Sequence, residues 1–86
     1  MITNNQKETI IATLGKHYSK VIIPHLTKLE IFNSHAEPFS KPSIRKIVNG
    51  DQDNKIVENE ILELVRVAKL ESKRNAKKWN NVTHQN

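Results

Sequence analysis

The chain has 86 residues, a formal net charge of +5 and no cysteine. Its length allows one small domain, and the lack of cysteine excludes disulfide bridges and cysteine-ligated zinc as sources of stability. No apolar run approaches the roughly 20 residues that span a bilayer, and the first residues lack a signal-peptide pattern, so we expect a cytoplasmic protein without membrane contact.

The charges are unevenly distributed along the chain. Residues 1–50 carry seven Lys or Arg and three Glu, residues 51–70 carry three basic and five acidic side chains, and residues 71–86 carry four basic side chains and one Glu. A basic surface on a small domain most often contacts nucleic acid. An acidic segment between two basic ones indicates separate surfaces with separate roles.

The first two helices are predicted near residues 5–14 and 19–30. Asn4 or Asn5 can cap the first helix, and Gly15 follows it as a stop signal. Pro24 conflicts with the second helix, because a proline inside a helix costs about 3 kcal/mol. That helix therefore either starts later than Ser19 or bends at the proline.

Residues 31–39 are predicted to form an ordered loop. Asn33 and Ser34 favour a turn, and Phe32 and Phe39 are expected to be buried anchors. A two-stranded wing within this loop would be compatible with the prediction.

The third and fourth helices are predicted near residues 40–49 and 55–70. Ser40 is a good N-cap, proline is tolerated in the first turn, and Asn49-Gly50 can end the third helix with positive φ. The expected fold is an all-α, small helix-turn-helix bundle of about four helices with a long inter-helix turn. Its predicted core contains Leu14, Leu26, Phe39, Ile44, Ile47, Ile61 and Leu64.

The fourth helix has an apolar stripe wider than a one-sided surface helix needs. The surplus would pack against a larger core or against a second copy, and we expect a homodimer. Residues 71–86 are expected to form a basic, partly disordered tail in which the helix can continue to about Trp79.

The third helix carries the candidate functional residues. Lys41, Pro42, Arg45, Lys46 and Asn49 share the face opposite Ile44, Ile47 and Val48. The DNA major groove, about 12 Å wide, accepts such a helix, in which Lys and Arg can bind guanine and Asn can bind adenine. An ordinary surface helix with a solvated polar face has the same composition. Composition alone favours such a surface helix over a DNA-binding one.

The pattern Ser40-Lys41-x-Ser43-Ile44-x-x-Ile47-x-Asn49-Gly50 resembles the recognition helix and following turn of the phage-repressor (Xre-type) helix-turn-helix family, over residues 40–70. This resemblance implies base contacts from Lys41, Pro42 and Lys46, with Asn49 near the DNA backbone. The second helix lacks the family's Gln-x-x-Leu-Ala pattern, and about nine residues, 31–39, replace its short turn.

The long turn is similar instead to the helix-turn-helix region of large serine recombinases, which ends in Pro-aromatic-Ser before the recognition helix. Here those residues are Pro38-Phe39-Ser40. The similarity covers about 20 residues, approximately 29–47, and implies DNA reading without recombinase chemistry.

These patterns predict sequence-specific binding of double-stranded DNA by a small phage-type or mobile-element transcriptional regulator. The alternative is a helical protein-interaction module, antitoxin-like or an inhibitor, whose basic face binds an acidic partner. The expected DNA-binding residues are Ser40, Lys41, Pro42, Ser43, Arg45, Lys46 and Asn49, with possible phosphate contacts from Lys73, Arg74, Lys77 and Lys78.

No enzymatic activity, catalytic residue, cofactor, metal or small-molecule substrate is expected. The four histidines lack metal-ligand spacing, and there is no Gly-rich phosphate loop. Glu58, Glu60 and Glu63 are interpreted as the solvated face of the fourth helix.

Overall fold

The computed structural model describes the backbone of residues 1–85 and the side chains of residues 1–72. The described chain forms four helices, α1 (Asn4–Leu14), α2 (Ser19–Lys28), α3 (Lys41–Val48) and α4 (Lys55–Gln85), and no strand. This confirms the all-α prediction. Helix α4 packs against each of the other three helices, and α2 also packs against α3.

Helix α1 begins one residue earlier than predicted. Its N-cap is Thr3, whose Oγ1 accepts a hydrogen bond from the Gln6 N–H at 3.1 Å, while Gln6 Oε1 accepts one from the Thr3 N–H at 2.9 Å. Neither Asn4 nor Asn5 is the cap, because this reciprocal pair satisfies two backbone donors where a lone asparagine satisfies one. Gly15 ends the helix with a φ of 91°, as predicted.

Helix α2 begins at Ser19 and contains Pro24 in its interior. A later start, one of the two alternatives, is therefore wrong. The missing proline N–H would have bonded to the carbonyl of Lys20, and both residues are exposed. Water can satisfy that carbonyl, which limits the cost of the proline.

Helix α2 ends at Lys28, two residues before its predicted end, in a left-handed turn at Glu30. The Ile31 N–H donates to the Leu26 carbonyl at 2.9 Å, and the Glu30 N–H donates to the Thr27 carbonyl at 3.0 Å. These two bonds define a Schellman motif, and Glu30 has the positive φ of 58° that the motif usually assigns to glycine.

The core lies between the four helices. It contains the buried residues Ile2, Ile10, Tyr18, Ile22, Leu26, Phe39, Ile44, Ile47, Val48, Val57, Ile61 and Val65. Five of the seven predicted core residues are among them, and the other two, Leu14 and Leu64, are partly buried against the cluster. Phe32 is 41% exposed, so its predicted burial is wrong.

Helix α4 begins with a network around Glu58. Asn54 Oδ1 accepts from the Val57 N–H at 3.2 Å, and Glu58 Oε2 accepts from the Asn54 N–H at 2.8 Å. Glu58 Oε1 lies 2.7 Å from the α-amino group of Met1. Glu58 is buried, so its assignment to a solvated face is wrong. Glu60 is only partly exposed, and its Oε1 lies 3.1 Å from His25 Nε2. Glu63 is exposed, as predicted, and pairs with Arg66.

Helix α4 also runs to Gln85, fifteen residues beyond Leu70 and six beyond Trp79, to which the helix was expected to be able to continue. Among the described residues, no helix is both long enough and apolar enough to cross a membrane.

Candidate nucleic-acid interface

The start of α3 is fixed by two serines. Ser40 has extended backbone angles, and its Oγ accepts a hydrogen bond from the Ser43 N–H at 3.3 Å. The same hydroxyl donates to Ser43 Oγ at 3.0 Å. Pro42 is the second residue of the helix, where a backbone N–H has no intrahelical acceptor, so the lack of an N–H in proline removes no hydrogen bond. The predicted cap is confirmed, and both serines are engaged in holding the helix start.

The two faces of α3 have opposite environments. Ile44, Ile47 and Val48 have no exposed surface at all. The residues on the other face are exposed: Lys41, Pro42, Arg45, Lys46 and Asn49. The structure thus brings together the five predicted face residues on one side of a short helix, and we call this set the basic face.

The cations of the basic face are not neutralised by neighbouring carboxylates. The ion pairs formed by the described side chains and the N-terminus involve Met1, His25 and Arg66 as the basic partners. Within the described part of the chain, the three cations of the basic face belong to none of these pairs. Three positive charges therefore face solvent on about two helical turns.

The end of α3 is held by a second Schellman motif. The Asp51 N–H donates to the Lys46 carbonyl at 2.9 Å, and the Gly50 N–H donates to the Ile47 carbonyl at 3.1 Å. Gly50 has a φ of 81°, whereas Asn49 has a helical φ of −73°, so only the glycine provides the predicted positive φ. A Cβ atom on Gly50 would lie 2.9 Å from the Ile2 carbonyl oxygen.

The loop before α3 is organised by Asn33. Its Oδ1 accepts from the N–H groups of His35 at 2.9 Å and Glu37 at 3.1 Å, and its own N–H donates to the Glu37 carbonyl at 2.8 Å. The described residues of this loop form no strands, so the two-stranded wing is absent from the described chain. The predicted ordered loop is present, with Phe39 as its buried anchor.

Sequence reasoning missed a groove beside the N-terminus of α3. The groove is a concavity of about 280 Å³ between the loop and the α3–α4 turn. It is lined by Phe32, Asn33, Ser34, His35, Phe39, Ser43, Gln52 and Asn54. Its lining comes from three separate segments, and no local pattern indicated that they meet. Phe32 is exposed because its side chain borders this groove instead of entering the core.

Two carboxylates of α4 are held by hydrogen bonds within the chain. Glu58 accepts hydrogen bonds from the N-terminal amine and from the Asn54 N–H, and these lower the pKa of its carboxyl below its ordinary value. The Arg66 guanidinium likewise lowers the pKa of Glu63. Among the described residues, no group of three or more His, Asp or Glu is placed to hold a metal ion. The proposed phosphate-contacting side chains Lys73, Arg74, Lys77 and Lys78 lie outside the described side chains.

Comparison of the chain with models of known protein families, with curated proteins and with solved structures finds no match. The resemblance to Xre-type repressors and to serine recombinases therefore stays a prediction. Any function assigned to the chain depends on the chemistry of its own residues.

Proposed function

We propose that the chain binds double-stranded DNA sequence-specifically through α3, as a small phage-type or mobile-element transcriptional regulator acting in the cytoplasm. The observation that supports this most is the division of α3 into a fully buried apolar face and an exposed basic face. Burial of Ile44, Ile47 and Val48 fixes the helix rigidly, so that its outer side chains are presented in a defined arrangement.

The basic face suits the major groove in both shape and chemistry. At about 100° per residue, its five side chains span an arc of about 140°. Lys41, Arg45 and Lys46 can donate to guanine O6 and N7, and Asn49 can pair with adenine or bind the backbone. Ser40 and Ser43, whose hydroxyls already bond to each other, suit the positioning of the helix more than the reading of bases.

A homodimer suits this function, because one helix of eight residues contacts only a few base pairs. Two copies bound side by side read two half-sites, which raises both affinity and specificity.

The experiment is a salt titration on two duplexes, one selected from a random pool and one scrambled. Lys41→Ala and Lys46→Ala remove base contacts worth about 1–3 kcal/mol, so each weakens binding to the selected duplex roughly 5- to 150-fold. On the scrambled duplex the loss is much smaller. Lys16→Ala is the charge-matched control, because Lys16 is exposed in the turn after α1 and lies outside the basic face.

Two results would contradict the proposal. Equal losses on both duplexes would mean that the basic face contacts only the phosphate backbone. Failure of the parent chain to bind any duplex at low salt would favour the alternative, in which the basic face binds an acidic protein.

A further inference from the structure

The groove beside the N-terminus of α3 has the size of a small binding site and a polar, uncharged lining. Its volume of about 280 Å³ is close to the lower end of the range for ligand sites, about 300 Å³. The described residues that line it contribute two phenyl rings, three amides, two hydroxyls and one imidazole, and none of them is Lys, Arg, Asp or Glu. A neutral ligand with a flat apolar surface and hydrogen-bonding edges fits this lining better than an ion does.

The side chains of Asn33 and Asn54 offer hydrogen-bond donors of fixed orientation. Asn33 Oδ1 accepts from the N–H groups of His35 and Glu37, and Asn54 Oδ1 accepts from the Val57 N–H. Because each oxygen is engaged by the backbone, each Nδ2 group is the part of the amide left for a ligand. Among the described residues no buried side-chain nitrogen lacks a partner, so these two nitrogens, which have none there, are open to solvent.

The two amides belong to opposite walls of the groove. Asn33 lies in the loop before α3, and Asn54 lies in the turn between α3 and α4. A ligand that lies across the groove therefore meets an N–H donor on each side and needs a hydrogen-bond acceptor on both of its edges. The Ser43 hydroxyl accepts from Ser40 Oγ, which leaves its own proton as a third donor.

Phe32 adds an exposed aromatic ring to these donors. Its side chain is 41% exposed at the border of the groove, and the adjacent turn at Asn33 fixes the backbone that carries it. Every nucleobase has a flat face that stacks on an aromatic side chain. Thymine and uracil also have a carbonyl oxygen on each edge, O2 and O4, whereas cytosine has an amino group in place of O4.

We propose that the groove binds one unpaired nucleobase, thymine or uracil, stacked on Phe32 and held by the amides of Asn33 and Asn54. Cytosine is disfavoured, because its amino group meets an amide that also donates. A base within a duplex is excluded, since its faces are stacked and its O4 is paired. The site is therefore separate from duplex reading by the basic face, and the inference does not depend on the proposed function.

The first test compares single-stranded oligo(dT) and oligo(dC) of equal length by fluorescence anisotropy. The parent binds oligo(dT) at least about tenfold more tightly, because cytosine leaves donors unpaired. Phe32→Ala weakens binding of oligo(dT) roughly 5- to 150-fold, since it removes the stacking surface. Leu29→Ala is the matched control and leaves the Kd unchanged, because Leu29 is similarly exposed (47%) and does not line the groove.

The second test exchanges the donor at Asn54 for an acceptor. In Asn54→Asp the carboxylate still accepts from the Val57 N–H and still caps α4, but it now favours the amino group of cytosine over a carbonyl oxygen. The ratio of oligo(dT) to oligo(dC) affinity falls by at least about tenfold. Asn59→Asp adds the same charge at an exposed position outside the groove and leaves the ratio unchanged. Circular dichroism of both variants confirms that the helices are intact.

Calorimetry with free thymidine distinguishes the two sources of such a base. A Kd below about 1 mM that Phe32→Ala raises assigns the groove to nucleosides as well as to strands, whereas binding of oligo(dT) alone assigns it to a nucleic-acid strand.

Three results would overturn the inference: no binding of either oligo(dT) or thymidine, equal affinity for oligo(dT) and oligo(dC), or equal effects of Phe32→Ala and Leu29→Ala. An unchanged affinity ratio in Asn54→Asp would overturn the role of the amides. A chain that binds oligo(dT) through Phe32 but no duplex would contradict the proposed function alone, so the two failures are distinguishable.

Discussion

At the scale of single residues, the end of α2 contains a glutamate in a conformation that favours glycine. Glu30 has a φ of 58°, which costs a residue with a Cβ about 1 kcal/mol. We therefore expect Glu30→Gly to raise the free energy of unfolding by about 0.5–1 kcal/mol, even though the glycine adds entropy to the unfolded chain. Urea unfolding followed by circular dichroism measures the change.

The control for this prediction is Glu8→Gly, an exposed position within α1. There the backbone is helical, so the same substitution lowers the free energy of unfolding by about 1 kcal/mol. A loss of stability in both variants would show that the left-handed turn at Glu30 carries no strain.

The second residue-scale prediction concerns pH and Glu58. The pKa of this carboxyl is lowered from 4.5 by its bonds to the Met1 amine and the Asn54 N–H, so the charged form stabilises the fold. That stability is present above about pH 4.5 and is lost as the pH falls through the lowered pKa. The pKa of the Met1 amine is raised from 8.0, so its contribution is present below pH 8 and is lost as the pH rises through the raised value.

Thermal melts across this range compare the parent with Glu58→Gln. The amide oxygen of glutamine can still accept from the Asn54 N–H, so the substitution removes mainly the charge. We expect the largest difference in Tm between about pH 4.5 and 8, and a vanishing difference in stronger acid. Glu63→Gln is the control, because it breaks an exposed ion pair with Arg66 and is expected to change the Tm by less. A Tm difference independent of pH would contradict the prediction.

At the scale of helices, α3 depends on its neighbours, because eight residues do not form a stable helix alone. Ile47 is completely buried, whereas Leu64 on α4 is only partly buried. We expect Ile47→Ala to lower the free energy of unfolding by about 2–5 kcal/mol, and Leu64→Ala to lower it by less. Chemical unfolding of both variants tests this order. Equal losses would mean that α3 packs less tightly than its burial indicates.

The bounds and faces of α3 could be predicted because their signals are local. A serine cap, an early proline and a glycine stop mark its ends, and the spacing of three apolar residues marks its buried side. The basic face follows from the same spacing. The path of the loop could not be predicted from local signals. The exposure of Phe32 depends on how Asn33 turns the chain back and on which segments line the groove.

The length of α4 was underestimated for another reason. The polar composition after Leu70 suggested the end of the helix, because no apolar face was apparent there. Neither glycine nor proline occurs after Gly50, however, and residues 71–78 are rich in good helix formers. The residue types after Leu70 thus favour a continued helix, although the apolar pattern alone does not indicate one.

At the scale of the whole molecule, one basic face contacts only a few base pairs, and the proposed homodimer supplies a second one. A homodimer with closed symmetry has a two-fold axis, and this axis relates the two copies of α3. Duplex DNA has the same symmetry in its backbone, so a two-fold dimer reads the same bases on opposite strands. The proposed function therefore predicts that the preferred DNA sequence is an inverted repeat.

Selection from a random duplex pool, followed by sequencing, tests this prediction. The chain selects two inverted half-sites at one fixed spacing, because the dimer fixes the distance between its two copies of α3. An isolated half-site binds the chain roughly 100- to 10,000-fold more weakly than the full repeat, because only one α3 of the dimer then contacts its bases. Selection of a single half-site or of direct repeats would show that a two-fold dimer is not the form that reads DNA.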